Sequence, residues 1–349
     1  MGLRRTAALV VAWCALVAAG APGARLPEAV SRAIDRVSEA DLHGYVERLA
    51  SDEFRGRGIG DTGNDAAQTF ICDTLKSSGV TPAGTDGTCF QAITIDHSVP
   101  GVRTPITIRN VLGIIEGRDP AHHDEMVVVG AHLDHDGIGL AGEIYNGADD
   151  NASGTAAVLA AAAAFARAAA AGERPSRAVL FALWNGEEKG SLGAEGFVAA
   201  PLPQRRIVAN LNLDMVGRHE EIPAGENPRF AGFHPVDEAS SVNTLHVLGY
   251  SYSPDLAAEL REANDAVGLR LLEDYDEGFQ DLVKRSDNWP FVAHGIPALF
   301  LTTGLHPDYH TPADDTARID FGKLARVARL AARAAWIVAE GPAPALKKH

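Results

Sequence analysis

Hydrophobic and polar positions repeat along this chain with two different periods. Between residues 28 and 78, apolar side chains recur at helical spacing on either side of a charged, glycine-rich stretch at 52–63. From residue 105 onward the apolar residues form short runs rich in Val, Ile and Leu, bounded by Gly, Pro or Asp, which is typical of strands. The predicted strands are 106–115, 126–131, 178–184, 207–213, 245–250 and 297–303.

Several of these strands are apolar at almost every position, so both of their faces must be covered. Helical patterns lie between them, at 153–171, 189–199, 254–267 and 320–339. Strands that alternate with helices predict an α/β sandwich with a mostly parallel centre. We assign it to one domain over 25–340, with a surface insertion at 218–241 and a flexible tail at 341–349.

The first 24 residues have the three-part pattern of a secretory signal peptide. Arg4 and Arg5 precede an apolar run at 7–19, and small residues follow up to Ala24. That run is too short to span a bilayer. The alternative is a retained anchor, since the residues before 24 fit a cleavage site poorly. We therefore predict a secreted or periplasmic protein with no stable membrane span after signal cleavage.

One later segment, the alanine-rich stretch 156–171, comes near the length of a membrane span. It contains Arg167, which favours a buried helix instead. Removal of the signal also leaves Cys72 and Cys89. We expect this pair to form a disulfide in an oxidising compartment, and two unrelated buried thiols are the alternative.

The charge of the chain narrows the classes of partner. The 349 residues carry 46 acidic and 31 basic side chains, a formal net charge of −15 at pH 7. Binding to a phosphate backbone or to an anionic membrane surface therefore lacks its usual electrostatic driving force. We predict a small molecule or a peptide as the partner, and no nucleic acid.

Polar residues follow the predicted strands where ligands bind in such sheets, beyond the carboxyl ends. They lie in HLDHD at 132–136, GADDNASG at 147–154, NGEE at 185–188, Asp214 and YHTP at 309–312. Taken singly, an acidic residue before a helix is commonly an N-cap, and a lone His is commonly a surface residue. Together, with no Lys or Arg offsetting them, the carboxylates would repel one another unless metal neutralised them. Two His and three carboxylates suit zinc, and cobalt or manganese would substitute. We predict a two-metal site.

These motifs together resemble a known family. HLD, GADDNASG, NGEEKGSLGAEGF, NLDM and YHTPADD occur in the order found in co-catalytic di-zinc aminopeptidases of the bacterial leucyl aminopeptidase type. Relatives of that family include glutamate carboxypeptidase II, the transferrin receptor and the glutaminyl cyclases. The resemblance covers residues 40–335. It implies a three-layer sandwich around a central mixed sheet, and a zinc aminopeptidase that hydrolyses peptides with a free N-terminus. With the predicted signal peptide, this would be an exported enzyme.

The resemblance also implies roles for individual residues. The implied ligands of two zinc ions are His132, Asp150, Glu188, Asp214 and His310. Asp150 would bridge the ions, Asp134 would orient His132, and Glu187 would be the general base. The choice of Asp150 over its neighbour Asp149 rests on the family pattern alone. The spare candidates close to these motifs are His135, His306 and Asp308.

Two questions of specificity stay open at this level. Asn288 stands where the family usually has a His, in the segment SDNWPF at 286–291, so the side chain accepted at the cleavage site is undetermined. A single-zinc glutaminyl-peptide cyclase is the alternative activity, although the presence of both His132 and Asp214 argues against it. A carboxypeptidase or dipeptidase of the same fold is a further alternative. Neither GxSxG nor HExxH occurs in the sequence, so serine and thermolysin-like hydrolysis have no support.

Overall fold

The computed structural model of the protein describes residues 26–225, 230, 233–276 and 281–347, so the predicted signal peptide lies outside the described residues. Within those ranges nine strands form one mixed sheet, in the order β1-β3-β7-β4-β8-β11-β9-β10, with β2 paired to β3. The sheet strands are β1 (Thr81–Pro82), β2 (Phe90–Ile95), β3 (Ile106–Ile115), β4 (Glu125–His132), β7 (Ala178–Trp184), β8 (Arg206–Leu213), β9 (Thr244–Leu248), β10 (Arg270–Leu272) and β11 (Ala298–Thr302). A separate hairpin consists of β5 (Gly137–Ile138) and β6 (Ile144–Tyr145).

Helices cover both faces of the sheet. They are α1 (Glu28–Asp35), α2 (Glu39–Leu49), α3 (Thr62–Ser77), α4 (Gly154–Ala170), α5 (Leu192–Ala199), α6 (Glu238–Ser241), α7 (Pro254–Asn264), α8 (Asn288–Ala293) and α9 (Phe321–Glu340). Alternate residues of β4 enter two different cores, because side chains alternate across a strand. Val127 and Val129 pack with α1–α4, α7 and α9, whereas Met126 and Val128 pack with α5 and α8. The predicted α/β fold is therefore confirmed, with a sheet between two helical layers.

The alanine-rich segment forms the central helix of the larger layer. Its small side chains allow α4 to lie close to the sheet, and most of them are fully buried. Among the described residues, 148–170 is the stretch long and apolar enough to cross a bilayer. Because 89% of that window is buried inside the protein, it is a core helix, as the sequence predicts.

The strand and helix predictions agree with the structure at the sheet centre and miss elements at its margins. All six predicted strands are present, with ends that differ by no more than about two residues. The half-exposed edge strand β2 and the three-residue β10 are not predicted, because short edge strands lack a continuous apolar run.

The prediction of a surface insertion at 218–241 is wrong in part: Arg218, Glu220 and Ile222 are buried. Cys72 and Cys89 form the expected disulfide between α3 and the start of β2.

Candidate metal centre

The carboxyl ends of four neighbouring parallel strands form the edge at which the predicted ligands meet. Strand β4 pairs in parallel with β7 and β8, and β8 pairs in parallel with β11. The last residue of β4, His132, lies opposite Trp184, the last residue of β7. Asp214 follows β8 directly, and the loop after β11 leads to His310. Chain segments far apart in sequence therefore deliver their polar residues to one place.

Asp150 lies between two histidines from opposite sides of this edge. Its Oδ1 atom is 3.3 Å from His132 Nε2, and its Oδ2 atom is 3.1 Å from His310 Nε2. Asp214 Oδ1 is also 3.3 Å from His132 Nε2, and Glu188 Oε2 is 3.5 Å from His310 Nε2. The structure thus brings together all five residues predicted as ligands, in two groups that share Asp150.

Asp149, the neighbour of Asp150, points into the protein and not toward these histidines. Its Oδ1 accepts a hydrogen bond from Gly217 N at 2.7 Å, and its Oδ2 lies 3.2 Å from His306 Nε2. Asp314 Oδ2 accepts from the backbone N of Asp149 at 3.1 Å and of Asp150 at 3.0 Å. These bonds fix the backbone at 149–150, so that the carboxylate of Asp150 alone faces both histidines.

Asp134 contacts the neighbouring turn more closely than it contacts His132. Its carboxylate accepts hydrogen bonds from the backbone N of Glu187 at 3.1 Å and of Glu188 at 3.4 Å. His132 Nδ1 lies 3.1 Å from the backbone O of Asp134 and 3.9 Å from its Oδ1. The main-chain oxygen of Asp134 is therefore its nearest contact to His132, and its side chain holds the turn that carries the two glutamates.

The sequence singled out His135 only as a spare candidate and did not single out Asp136. His135 Nδ1 is 2.7 Å from Glu188 Oε1, and Asp136 Oδ2 is 2.9 Å from His310 Nδ1. Both residues follow Asp134 directly, so the run of polar residues after β4 is the sequence feature from which they could have been predicted. The other two spare candidates lie behind the site, where His306 contacts Asp149, and Asp308 accepts a hydrogen bond from Arg218.

The charges of this cluster shift the pKa values of its members strongly. Burial would raise the pKa of Asp150, but hydrogen bonds with His132 and His310 outweigh it and hold that pKa well below its usual range. Burial, together with the charges of Asp214 and other nearby carboxylates, raises the pKa of Glu187 well above its usual range, against the effect of His132. A divalent cation would relieve the repulsion between these carboxylates.

The donor set fits a pair of metal ions. The potential ligand atoms of His132, Asp150 and Asp214 all lie within 4.8 Å of one another. The same holds for Asp136, Glu188 and His310, and for His135, Asp150 and Glu188. Imidazole nitrogens with carboxylate oxygens are a donor set typical of zinc. Asp150 and Glu188 each belong to more than one group, and Glu187 forms a further group with His132 and Glu188, so the groups share residues.

A buried arginine holds the loops beneath the site. None of the predicted site residues is this arginine. Arg57 is only 1% exposed, and its guanidinium donates to four backbone oxygens. The acceptors are Leu49 O at 2.6 Å, Leu133 O at 2.8 Å, Asn146 O at 2.6 Å and Gly147 O at 2.9 Å. Burial lowers the pKa of Arg57 to about 10, and nearby carboxylates oppose that shift, so the side chain stays charged at neutral pH. It therefore supplies a fixed positive charge beside the carboxylates.

The family model described as Peptidase family M28 matches residues 110–335, which include all five motifs. The chain belongs to peptidase family M28. Leupeptin-inactivating enzyme 1 of Streptomyces exfoliatus is 26% identical in an alignment of 323 positions that covers 86% of this chain and 61% of that enzyme. The probable glutamate carboxypeptidase VP8 of Zea mays is 29% identical over 59% of this chain. This M28 chain spans only 26% of the length of the maize protein.

Solved structures agree with the family assignment at the level of the fold. The LapA aminopeptidase of Legionella pneumophila superposes with a TM-score of 0.65 at 16% identity, over 89% of this chain and 75% of LapA. The glutaminyl cyclase of Porphyromonas gingivalis superposes with a TM-score of 0.63 at 19% identity, over 85% of this chain and 97% of the cyclase. The M28 fold is therefore shared with proteins named for two different reactions.

We predict that replacement of Arg57 with Met lowers the free energy of unfolding by about 3 kcal/mol or more, because several buried carbonyl groups lose a charged donor. Urea denaturation followed by circular dichroism measures this change. Arg55→Met is the matched control in the same turn, since Arg55 is half exposed in its ion pair with Asp61 and should contribute less than about 1 kcal/mol. Equal effects of the two substitutions would contradict the role given to Arg57.

Proposed function

We propose that this M28 family member is an exported, zinc-dependent aminopeptidase that removes N-terminal residues from peptides. The observation that carries the proposal is the position of Asp150, whose two carboxylate oxygens face His132 on one side and His310 on the other. In this proposal His132 and Asp214 would hold one zinc ion, Glu188 and His310 would hold the second, and Asp150 would be a ligand common to both. Zinc ions bound there supply Lewis acidity and lower the pKa of a coordinated water.

The general base in this proposal is Glu187. It lines the cavity beside the predicted ligands, and its carboxylate lies 4.0 Å from His132 Nε2, beyond hydrogen-bond distance. Its neighbour Glu188, in contrast, contacts both His135 and His310. Glu187 is thus the glutamate of this turn that can accept a proton from the attacking water and then give it to the departing amine.

The choice of an aminopeptidase over a carboxypeptidase rests on the order of the motifs, which resembles that of the bacterial leucyl aminopeptidases, and on the likeness in fold to the LapA aminopeptidase.

An assay of the purified protein against three substrate classes tests the activity. We expect hydrolysis of amino-acid arylamides, no hydrolysis of the N-acetylated arylamides, and no ring closure of peptides with N-terminal glutamine. Dialysis against a chelator should remove the activity, and added zinc should restore it. Cyclisation of glutamine without arylamide hydrolysis would favour a glutaminyl cyclase, and release of the C-terminal residue from an N-acetylated peptide with a free carboxylate, assayed alongside, would favour a carboxypeptidase.

Replacement of Glu187 with Gln should lower kcat by a factor of about 10²–10⁴, because the amide cannot accept the proton of the water. Its zinc content, measured by elemental mass spectrometry, should stay that of the native protein, since Glu187 is not a proposed ligand. Glu195→Gln changes an exposed glutamate of α5 and serves as the control. A Glu187 variant with near-native turnover would refute the role of general base.

Replacement of Asp136 with Ala should weaken binding of the second zinc ion about tenfold or more, because the bond from Asp136 to His310 Nδ1 orients the imidazole toward the metal. Titration of the apoprotein with zinc against a competing chromophoric chelator measures this affinity without any substrate. Asp96→Ala removes an exposed aspartate in a loop and should leave both affinities unchanged. Native affinity in the Asp136 variant would show that His310 does not depend on this contact.

A further inference from the structure

A small cavity extends away from the predicted metal ligands and ends at a second charged cluster. Its volume is about 120 Å³, which gives room for several heavy atoms. Four of the five predicted metal ligands line one end together with Glu187, namely Asp150, Glu188, Asp214 and His310. Apolar and aromatic side chains form much of the remaining wall: Phe233, Leu248, Tyr275, Leu282 and Phe300. The carboxylate of Glu220 also lines this cavity, although no predicted role uses it.

Glu220 is held in one position by its neighbours. It is 4% exposed, its Oε1 accepts a hydrogen bond from Tyr275 Oη at 3.0 Å, and its Oε2 lies 3.3 Å from His246 Nε2. The rings of His246 and Tyr275 stack at 4.8 Å, which fixes both partners. Gly304 packs directly against Glu220, and a Cβ atom there would come within 3 Å of the Glu220 side chain. The glycine thus leaves the space that the carboxylate occupies.

Charged groups of both signs surround Glu220. His246 lies between two carboxylates, because its Nδ1 is 3.1 Å from Asp274 Oδ1. Burial lowers the pKa of His246, but the two carboxylates outweigh that effect and raise it to about 9, so the imidazole is protonated at neutral pH. The buried Lys323 also interacts with Glu220, but it does not line the cavity. Arg285 lines the cavity but is exposed, so solvent screens its charge more than that of the buried Glu220.

We propose that Glu220 is a specificity-determining residue that selects peptides with lysine or arginine at the N-terminus. This inference rests on the proposed aminopeptidase function, in which the α-amino group lies at the metal end and the side chain extends into the cavity. The methylene stem of lysine packs between the apolar walls, and its ammonium group donates to the free lone pairs of Glu220. An uncharged side chain of the same length leaves that buried carboxylate without the added donor.

The test compares lysine arylamide with norleucine arylamide, which has the same four-carbon stem but no ammonium group. For the native zinc enzyme we expect kcat/KM to favour lysine by about tenfold or more. In Glu220→Gln this preference should disappear, while hydrolysis of the norleucine substrate persists. Glu221→Gln, which changes the next residue and does not line the cavity, should keep the native preference.

Three further measurements complete the test. The Tyr275→Phe variant lacks one partner of Glu220 but retains the charge of Glu220, so this variant should keep the preference for lysine even if the Glu220 variant does not fold. A native enzyme that prefers norleucine or shows no preference would overturn the proposal. A preference for glutamate arylamide over norleucine arylamide would also overturn it, because the charge of Arg285 and not that of Glu220 would then select the substrate. Absence of hydrolysis with every arylamide would contradict the proposed aminopeptidase function instead. In that case, calorimetric binding of free lysine and norleucine to the zinc-loaded native protein would test Glu220 alone.

Discussion

The repulsion between carboxylates that are crowded at one edge of a sheet constrains the rest of this structure. Asp134, Asp150 and Asp214 are buried there, and two glutamates lie beside them. Burial of charged groups is costly unless opposite charge or hydrogen-bond donors accompany them. The protein supplies imidazoles, backbone N–H groups and a buried arginine, and the proposed zinc ions would supply the rest. The same repulsion explains why this site depends on buried residues outside the predicted ligand set.

Those supporting residues act mainly through the backbone. Asp314 holds the main chain at Asp149 and Asp150, and Asp134 holds the turn of the two glutamates. Arg57 fastens the loops on the other side through four carbonyl oxygens. Loops that carry a site are inherently mobile, and bonds of this kind place the side chains with the precision that catalysis demands. The fold therefore devotes buried polar groups to position as well as to charge.

The two charged ends of the cavity suggest separate tasks in the proposed reaction. The end with the predicted metal ligands is where the amino group and the scissile bond would lie. The end with Glu220 has a fixed negative charge that no predicted metal ligand contributes. Its partners come from strand β9 and from the segment after β10, far along the chain from the family motifs. A peptidase fold can keep one catalytic edge and change its preferred substrate through such peripheral residues.

The sequence by itself was sufficient to predict the central strands and the sheet edge at which polar residues meet, because strands buried on both faces leave continuous apolar runs and the residues after them share one edge. The choice of five ligands among those polar residues came from the resemblance of the motifs to the di-zinc aminopeptidases. Only the tertiary structure showed that Asp150, not Asp149, lies between the histidines, that Asp136 contacts His310, and that Arg57 and Glu220 are buried beside the site. Those choices depend on which way a side chain points and on which distant loop it contacts. Neither is encoded in the spacing of residues along a single segment, so packing alone decides them.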